Sequence, residues 1–231
     1  MRWFATGDVH GDWFRIWHWL EKMDFTEDEN IAVIILGDAA LYWNPSKLDA
    51  ERIIKRHEEN YKAHIYFLDG NHENFDLLKQ LPIDTDGVAH ISEHIHYLPR
   101  GFAGWIHTET GKSKICVCGG ADSIDKFRRI EGISWWADET ITKEDIAKIP
   151  AGSYMYVLSH CCPRSVFEDN KVYLATLSNI PENSVWHESE DRLEELKDKI
   201  LYDKWLFGHY HVDKDLDGKH RAVLNDFIEL I

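Results

Sequence analysis

The sequence predicts an α/β fold built from strand-helix-strand units, and three observations support this. Short β-rich runs alternate with amphipathic helical stretches, the pattern of a largely parallel sheet. The run "IAVIILGD" is almost continuously apolar, as suits a strand buried on both faces. The chain has 231 residues, 44% hydrophobic and 13% aromatic, enough to bury a substantial core. With no internal repeat, low-complexity tract or clear linker, residues 1–231 are expected to form a single domain.

Taken in order, "RWFAT" (residues 2–6) predicts the first strand, and "WFRIWHWLEKM" (13–23) carries its large apolar residues at helical spacing. "IAVIILGD" is the second strand, a helix follows from about Ser46 to Lys62, and "HIYFLDG" is the third strand. From Gly87 to Gly120 the pattern changes to "GVAHIS", "IHYLP", "GFAGWI" and "KICVCGG", with turn residues between them and no room for helices, which predicts a more antiparallel sheet. A helix near Lys143 to Lys148, the strand "YMYVLSH", the helical "SEDRLEELKDKILY" and the strand "KWLFGH" restore alternation. The Asp-Gly pair in "DLDGKH" predicts a closing hairpin.

A net charge of −15 argues against an extended basic groove and so against tight binding of duplex DNA. No run of about 18 apolar residues could span a bilayer, and the first residues lack the basic start and apolar segment of a signal peptide. A cytoplasmic protein with no membrane partner is expected. Cys116, Cys118, Cys161 and Cys162 suit neither a disulfide framework nor CxxC zinc spacing, and are read as reduced structural thiols.

The chemistry gathers at the ends of the strands. Their tips read "GDVHG", "GDAA", "GNHE", "SH" and "GHYH", and in an open α/β sheet ligands collect beyond the carboxyl ends of the strands. Asp8, His10, Asp38, Asn71, His160, His209 and His211 supply oxygen and nitrogen donors suited to Mn, Fe or Zn. Seven donors exceed one tetrahedral ion and suit two divalent or transition-metal ions, bridged by one carboxylate, assigned to Asp38, at roughly 3.5–4 Å. Glycine beside the ligands lets the backbone turn sharply near the metals.

The ordered set "GDVHG", "GDAA", "GNHE", "SH" and "GHYH" resembles the calcineurin-like metallophosphoesterase superfamily, with motifs spread from residue 7 to residue 211. The resemblance implies an αββα sandwich of two mixed sheets flanked by helices. It places Asp8, His10 and His211 on the first metal and Asn71, His160 and His209 on the second, with Asp38 between them and His72 as the catalytic residue beside the phosphoryl group. It further implies hydrolysis of phosphate mono- or diesters by a metal-bridging hydroxide, on a small phosphorylated substrate or a phosphoprotein. "GDVHG" and "GNHE" resemble the subgroup of Ser/Thr protein phosphatases and dinucleoside tetraphosphatases, in which the second motif continues with Asp and Arg. Here those positions are Leu41 and Tyr42. "GGADSIDKFRR" and "SWWADE" are instead similar to small bacterial and phage phosphoesterases.

Blander readings accompany each feature. Asp and Asn beside Gly are ordinary turn chemistry, and of 14 histidines nine are left structural or at the surface. Asp12 and His187 are read as surface or helix-start residues, "WFRIWHW" as core packing in preference to base stacking, and Cys161 and Cys162 as packing. Arg128 and Arg129 are either a solvated pair or, through one of them, the substrate-binding replacement for the missing arginine. Two alternatives to the phosphoesterase remain: a nuclease of the same superfamily, or a non-catalytic interaction protein that retains the fold.

Overall fold

The computed structural model describes residues 1–23, 25, 30–43, 48–174 and 187–231. Two mixed six-stranded sheets pack face to face between layers of helix. The first contains β1 (Arg2–Thr6), β2 (Ile31–Ile35), β3 (His64–Phe67), β4 (Ala89–His90), β5 (Ile95–Tyr97) and, from the end of the chain, β12 (Ile228–Leu230), in the order β12-β1-β2-β3-β5-β4. The second contains β6 (Ala103–His107), β7 (Lys112–Cys118), β8 (Ser153–Ser159), β9 (Leu201–Phe207), β10 (Lys214–Asp215) and β11 (His220–Ala222), in the order β10-β11-β9-β8-β7-β6.

Period-two alternation divides the apolar residues between two interfaces. Along the first sheet Trp3, Ala5, Ala32 and Ile34 face the second sheet, where they meet Ile115, Val117, Leu158 and Leu206. Phe4, Val33, Ile35 and Phe67 face outward beneath α1 (Phe14–Lys22), α2 (Leu48–Asn60) and α3 (Phe75–Leu78). The far side of the second sheet is covered by α4 (Lys143–Lys148), α5 (Arg164–Asp169), α6 (Lys171–Leu174) and α7 (Glu188–Lys199), whose Ile146, Val166, Leu174, Leu193 and Leu196 pack on Cys116, Val157 and Trp205. The expected αββα sandwich is present. Trp13 and Trp17 of the aromatic stretch are core residues, while Phe14 is exposed beneath the Arg56 guanidinium, 4.6 Å from its ring centroid.

The pattern over residues 87–120 needs correcting. Antiparallel pairing is present there, since β4 pairs antiparallel with β5 and β6 with β7. They do not form a sheet of their own. β5 adds parallel to β3 and closes the first sheet, while β7 adds parallel to β8 and begins the second. Helix α7 also stops before the predicted stretch ends: Ile200 is extended, and Leu201 pairs with Ser153 as the first residue of β9. The start of the second helix at Ser46 lies outside the described residues. The closing hairpin is β10–β11, but β12, which pairs with β1, carried no sequence signal. Among the described residues no helix is long and apolar enough to cross a membrane.

Trp205 anchors the strand that leads to His209. It is fully buried, and its indole N–H donates to Ser159 Oγ at 2.7 Å. Trp205→Ala should destabilise the protein by about 3–5 kcal/mol, the range for deleting a large aromatic from a core. Urea denaturation followed by circular dichroism checks this; a loss below about 1 kcal/mol would mean that the site is not packed as described.

Candidate metal centre

Each of the seven proposed donors lies just past the carboxyl end of a strand: Asp8 and His10 after β1, Asp38 after β2, Asn71 after β3, His160 after β8, and His209 and His211 after β9. The sandwich brings these ends together. Four of them depart from ordinary backbone geometry, with φ of +47° at His10, +50° at Asp38, +66° at His209 and +52° at His211. Non-glycine residues adopt this left-handed conformation uncommonly. Glycines leave room beside them: a Cβ on Gly70 would stand 2.1 Å from Asp38 Oδ1, and one on Gly208 would stand 2.2 Å from Asp8 Oδ1.

The two carboxylates form the centre. Asp8 is buried, takes the His209 backbone N–H on both oxygens at 2.9 and 3.1 Å, and has its Oδ2 3.1 Å from His211 Nε2. His211 Nε2 lies 3.0 Å from His10 Nε2, so Asp8, His10 and His211 form one cluster. Asp38 turns one oxygen to each side, with Oδ2 3.7 Å from His10 Nε2 and Oδ1 3.4 Å from His160 Nε2. His160 Nδ1–H donates to the Leu36 carbonyl at 2.8 Å, which aims Nε2 at Asp38 and at Asn71 Oδ1, 3.2 Å away. His209 Nδ1 meets the same Asn71 oxygen at 3.1 Å.

Electrostatics tie the set together. Burial by itself would raise both carboxyls, but the His160 charge, helped by the His211 hydrogen bond at Asp8 and the His160 and His72 bonds at Asp38, holds Asp8 low and Asp38 well below the usual range. Burial opposes the charge on His160, yet Asp38 and Asp8 raise its pKa to about 10. Burial and the neighbouring His160 push His209 down to about 3, so that ring is neutral with a lone pair to offer. Two buried carboxylates ringed by imidazoles call for positive charge at their centre, which in the protein alone His160 provides. A divalent cation would meet the same demand with hard oxygen and intermediate nitrogen donors, so the residues fit a metal.

His72 stands beside this centre. Its backbone N–H donates to Asp38 Oδ1 and its Nδ1 to Asp38 Oδ2, both at 2.8 Å. Its Nε2 lies 2.7 Å from Arg129 Nη2. A guanidinium only donates, so this nitrogen carries the lone pair. Arg129 is drawn in by Asp125, whose Oδ1 lies 2.7 Å from Nε, and its side chain is 12% exposed, less than the sequence suggested. Together with Ile124 and Asp125 it walls a cavity of about 260 Å³ whose other side is Asp38, Asn71, His72, His209 and His211. Arg128 is exposed and lies over the Phe127 ring at 5.2 Å, so of the two arginines Arg129 alone lines this cavity.

Leu41 and Tyr42 pack into the core of the first sheet and leave no side chain of their own at the centre. Asp12 is exposed in a turn, and His187 precedes α7, bonded to Glu190 and set against Phe167; neither joins the donor clusters. Cys161 and Cys162 are buried free thiols, raised well above their ordinary pKa by burial. Sequence reasoning missed Ser123 and Glu139, both buried behind Asn71, and Trp135, which donates to Glu139 at 2.8 Å. They fall inside the two stretches singled out above, but nothing in the spacing marks them.

Comparison with curated proteins gives no match. A family model, described as calcineurin-like phosphoesterase, matches residues 1–213, which span every strand end that contributes to the centre. The match covers most of the 231 residues and agrees with the two-sheet sandwich, so the chain belongs to the calcineurin-like phosphoesterase family.

Proposed function

We propose that this member of a family of metal-dependent phosphoester hydrolases works through a dinuclear centre. Asp8, His10 and His211 would hold one ion, Asn71, His160 and His209 the other, and Asp38 would bridge them. The observation that carries the reading is the convergence of seven donors from five strand ends, two of them buried carboxylates, with Asp38 turning one oxygen to each cluster. Bound cations of the Mn, Fe or Zn type supply Lewis acidity, making water nucleophilic at neutral pH and offsetting charge on phosphoryl oxygens.

The protein's own groups do the rest. Arg129, at the wall of the cavity, binds the phosphoryl group in place of the arginine absent at Tyr42. His72 faces the leaving oxygen with Nε2 and is held by Asp38 at Nδ1. The substrate is a phosphate ester of a small molecule or of a protein side chain. A scaffold without catalysis would have no use for a full donor set in strained backbone.

Turnover of an aryl phosphate with Mn²⁺ tests the proposal, and Arg129→Ala tests its substrate contact. That variant should lose about 10- to 100-fold in kcat/KM, the equivalent of one charged hydrogen bond of roughly 1.5–3 kcal/mol, with metal content unchanged. Arg128→Ala should stay near wild type. No metal-dependent turnover on any mono- or diester would overturn the hydrolytic reading, whereas unchanged kinetics for Arg129→Ala would remove only the arginine from it.

A further inference from the structure

Asn71 is the one proposed ligand that offers an amide, whose two ends differ in being acceptor and donor. Turned as it is, Oδ1 faces His160 Nε2 and His209 Nδ1; turned by half a rotation, its NH₂ would face them and Asn71 would offer a metal no lone pair. What selects the orientation lies behind it. Asn71 Nδ2 is 3.1 Å from Ser123 Oγ. Ser123 Oγ–H points away, donating to Glu139 Oε2 at 2.7 Å, while Glu139 Oε1 accepts the Ser123 backbone N–H at 2.6 Å and the Trp135 indole N–H at 2.8 Å. With its proton committed to Glu139, Ser123 offers Asn71 only a lone pair, and a lone pair must meet the NH₂. The other neighbour of Nδ2, His72 Nδ1 at 3.2 Å, has its proton directed to Asp38 and so does not compete for the amide oxygen.

We propose that Glu139, acting through Ser123, is a positioning residue that keeps the Asn71 amide oxygen aimed at the metal position it shares with His160 and His209. The inference rests on the reading of Asn71 as a ligand. It has a directional consequence. In Glu139→Gln the Oε1 position still accepts from Ser123 N–H and Trp135, so the new NH₂ falls at the Oε2 position and donates to Ser123 Oγ. The hydroxyl proton is then released toward Asn71, where it favours the reversed amide.

The test is Mn²⁺ binding to the full chain, by equilibrium dialysis with metal analysis, together with the absorption spectrum of the Co²⁺ form. Glu139→Gln and Ser123→Ala should each weaken one of two ions by about 10- to 100-fold, the usual effect of losing a partner of a ligand, and leave the other ion alone. In an Asn71→Asp background the two oxygens are equivalent and orientation no longer matters, so adding Glu139→Gln should produce no further weakening. Equal weakening in both backgrounds would overturn the proposal in favour of general packing. If both single variants bind two ions as wild type does while Asn71→Ala loses one, the positioning role falls and the ligand stands. If Asn71→Ala keeps both ions at wild-type affinity, the ligand assignment itself falls. Should Glu139→Gln fail to fold by circular dichroism, Ser123→Ala, which removes a single oxygen, decides.

Discussion

His72→Ala should slow hydrolysis of alkyl phosphate monoesters far more than that of aryl phosphates, by a differential on the order of the 10²–10⁴-fold typical of general acid catalysis. An aryl ester expels a stabilised phenolate that needs little protonation, whereas an alkyl ester expels a basic alkoxide. The structure adds a condition. His72 gives its Nδ1 proton to Asp38, and its Nε2 faces the Arg129 guanidinium, so the imidazole holds no proton at Nε2 while that contact lasts. A phosphoryl group that draws Arg129 onto its oxygens frees Nε2 to take up a proton from solvent and deliver it to the leaving oxygen, with Nδ1–H still held by Asp38. Metal content should be unchanged in the variant. Equal losses on both ester types with metal retained would assign His72 to positioning of phosphate; loss of metal would show that it belongs among the ligands.

Asp38→Asn should have the largest effect on the centre, because this side chain has contacts on every side. Its oxygens accept two hydrogen bonds from His72, lie within ion-pair distance of His160 and His10, and account for much of the charge that keeps His160 protonated. An amide of the same shape turns an NH₂ toward one group of these partners and removes the charge between the clusters. Both ions should be weakened and turnover should fall by at least the ~10²–10³-fold that follows loss of one preorganised electrostatic contact. His10→Ala, at the edge of one cluster, should weaken a single ion. Metal analysis after dialysis, alongside aryl phosphate turnover, separates the two, and an Asp38→Asn protein with wild-type metal content would sink the bridged arrangement.

The convergence of the seven side chains was legible because each is an acid, amide or imidazole just past an apolar run, and all but His160 and His211 stand beside glycine. The layered sandwich was legible for a similar reason, since β1 and β2 alternate faithfully between two buried faces. What escaped depends on distant pairing. The hairpin β4–β5 says nothing in its own residues about joining β3, nor β6–β7 about joining β8. The amphipathic pattern of α7 runs on through Ile200 and Leu201, but pairing with β8 prevails there. Glu139 lies 16 residues from Ser123 in a segment of short turns without periodicity, so only the folded chain shows that they share a hydrogen bond. Arg129 could be suspected from charge alone, but its separation from Arg128 follows from the turn at Lys126–Arg128 and the hold of Asp125.

The left-handed backbone at His10, Asp38, His209 and His211 bears on the history of such a chain. Each of these residues occupies a conformation where glycine would rest without the penalty, about 1–2 kcal/mol, that a side chain meets there. At the exposed His10 and His211 folding by itself therefore favours glycine, whereas at buried Asp38 the hydrogen bonds with His72 outweigh that relief. A lineage released from selection on activity would drift toward glycine at His10 and His211 and become sturdier as it became inert, and a laboratory library screened only for heat resistance would retrace that drift. Imidazole side chains at two exposed positions where the backbone prefers glycine are thus a record of selection that a single sequence can carry.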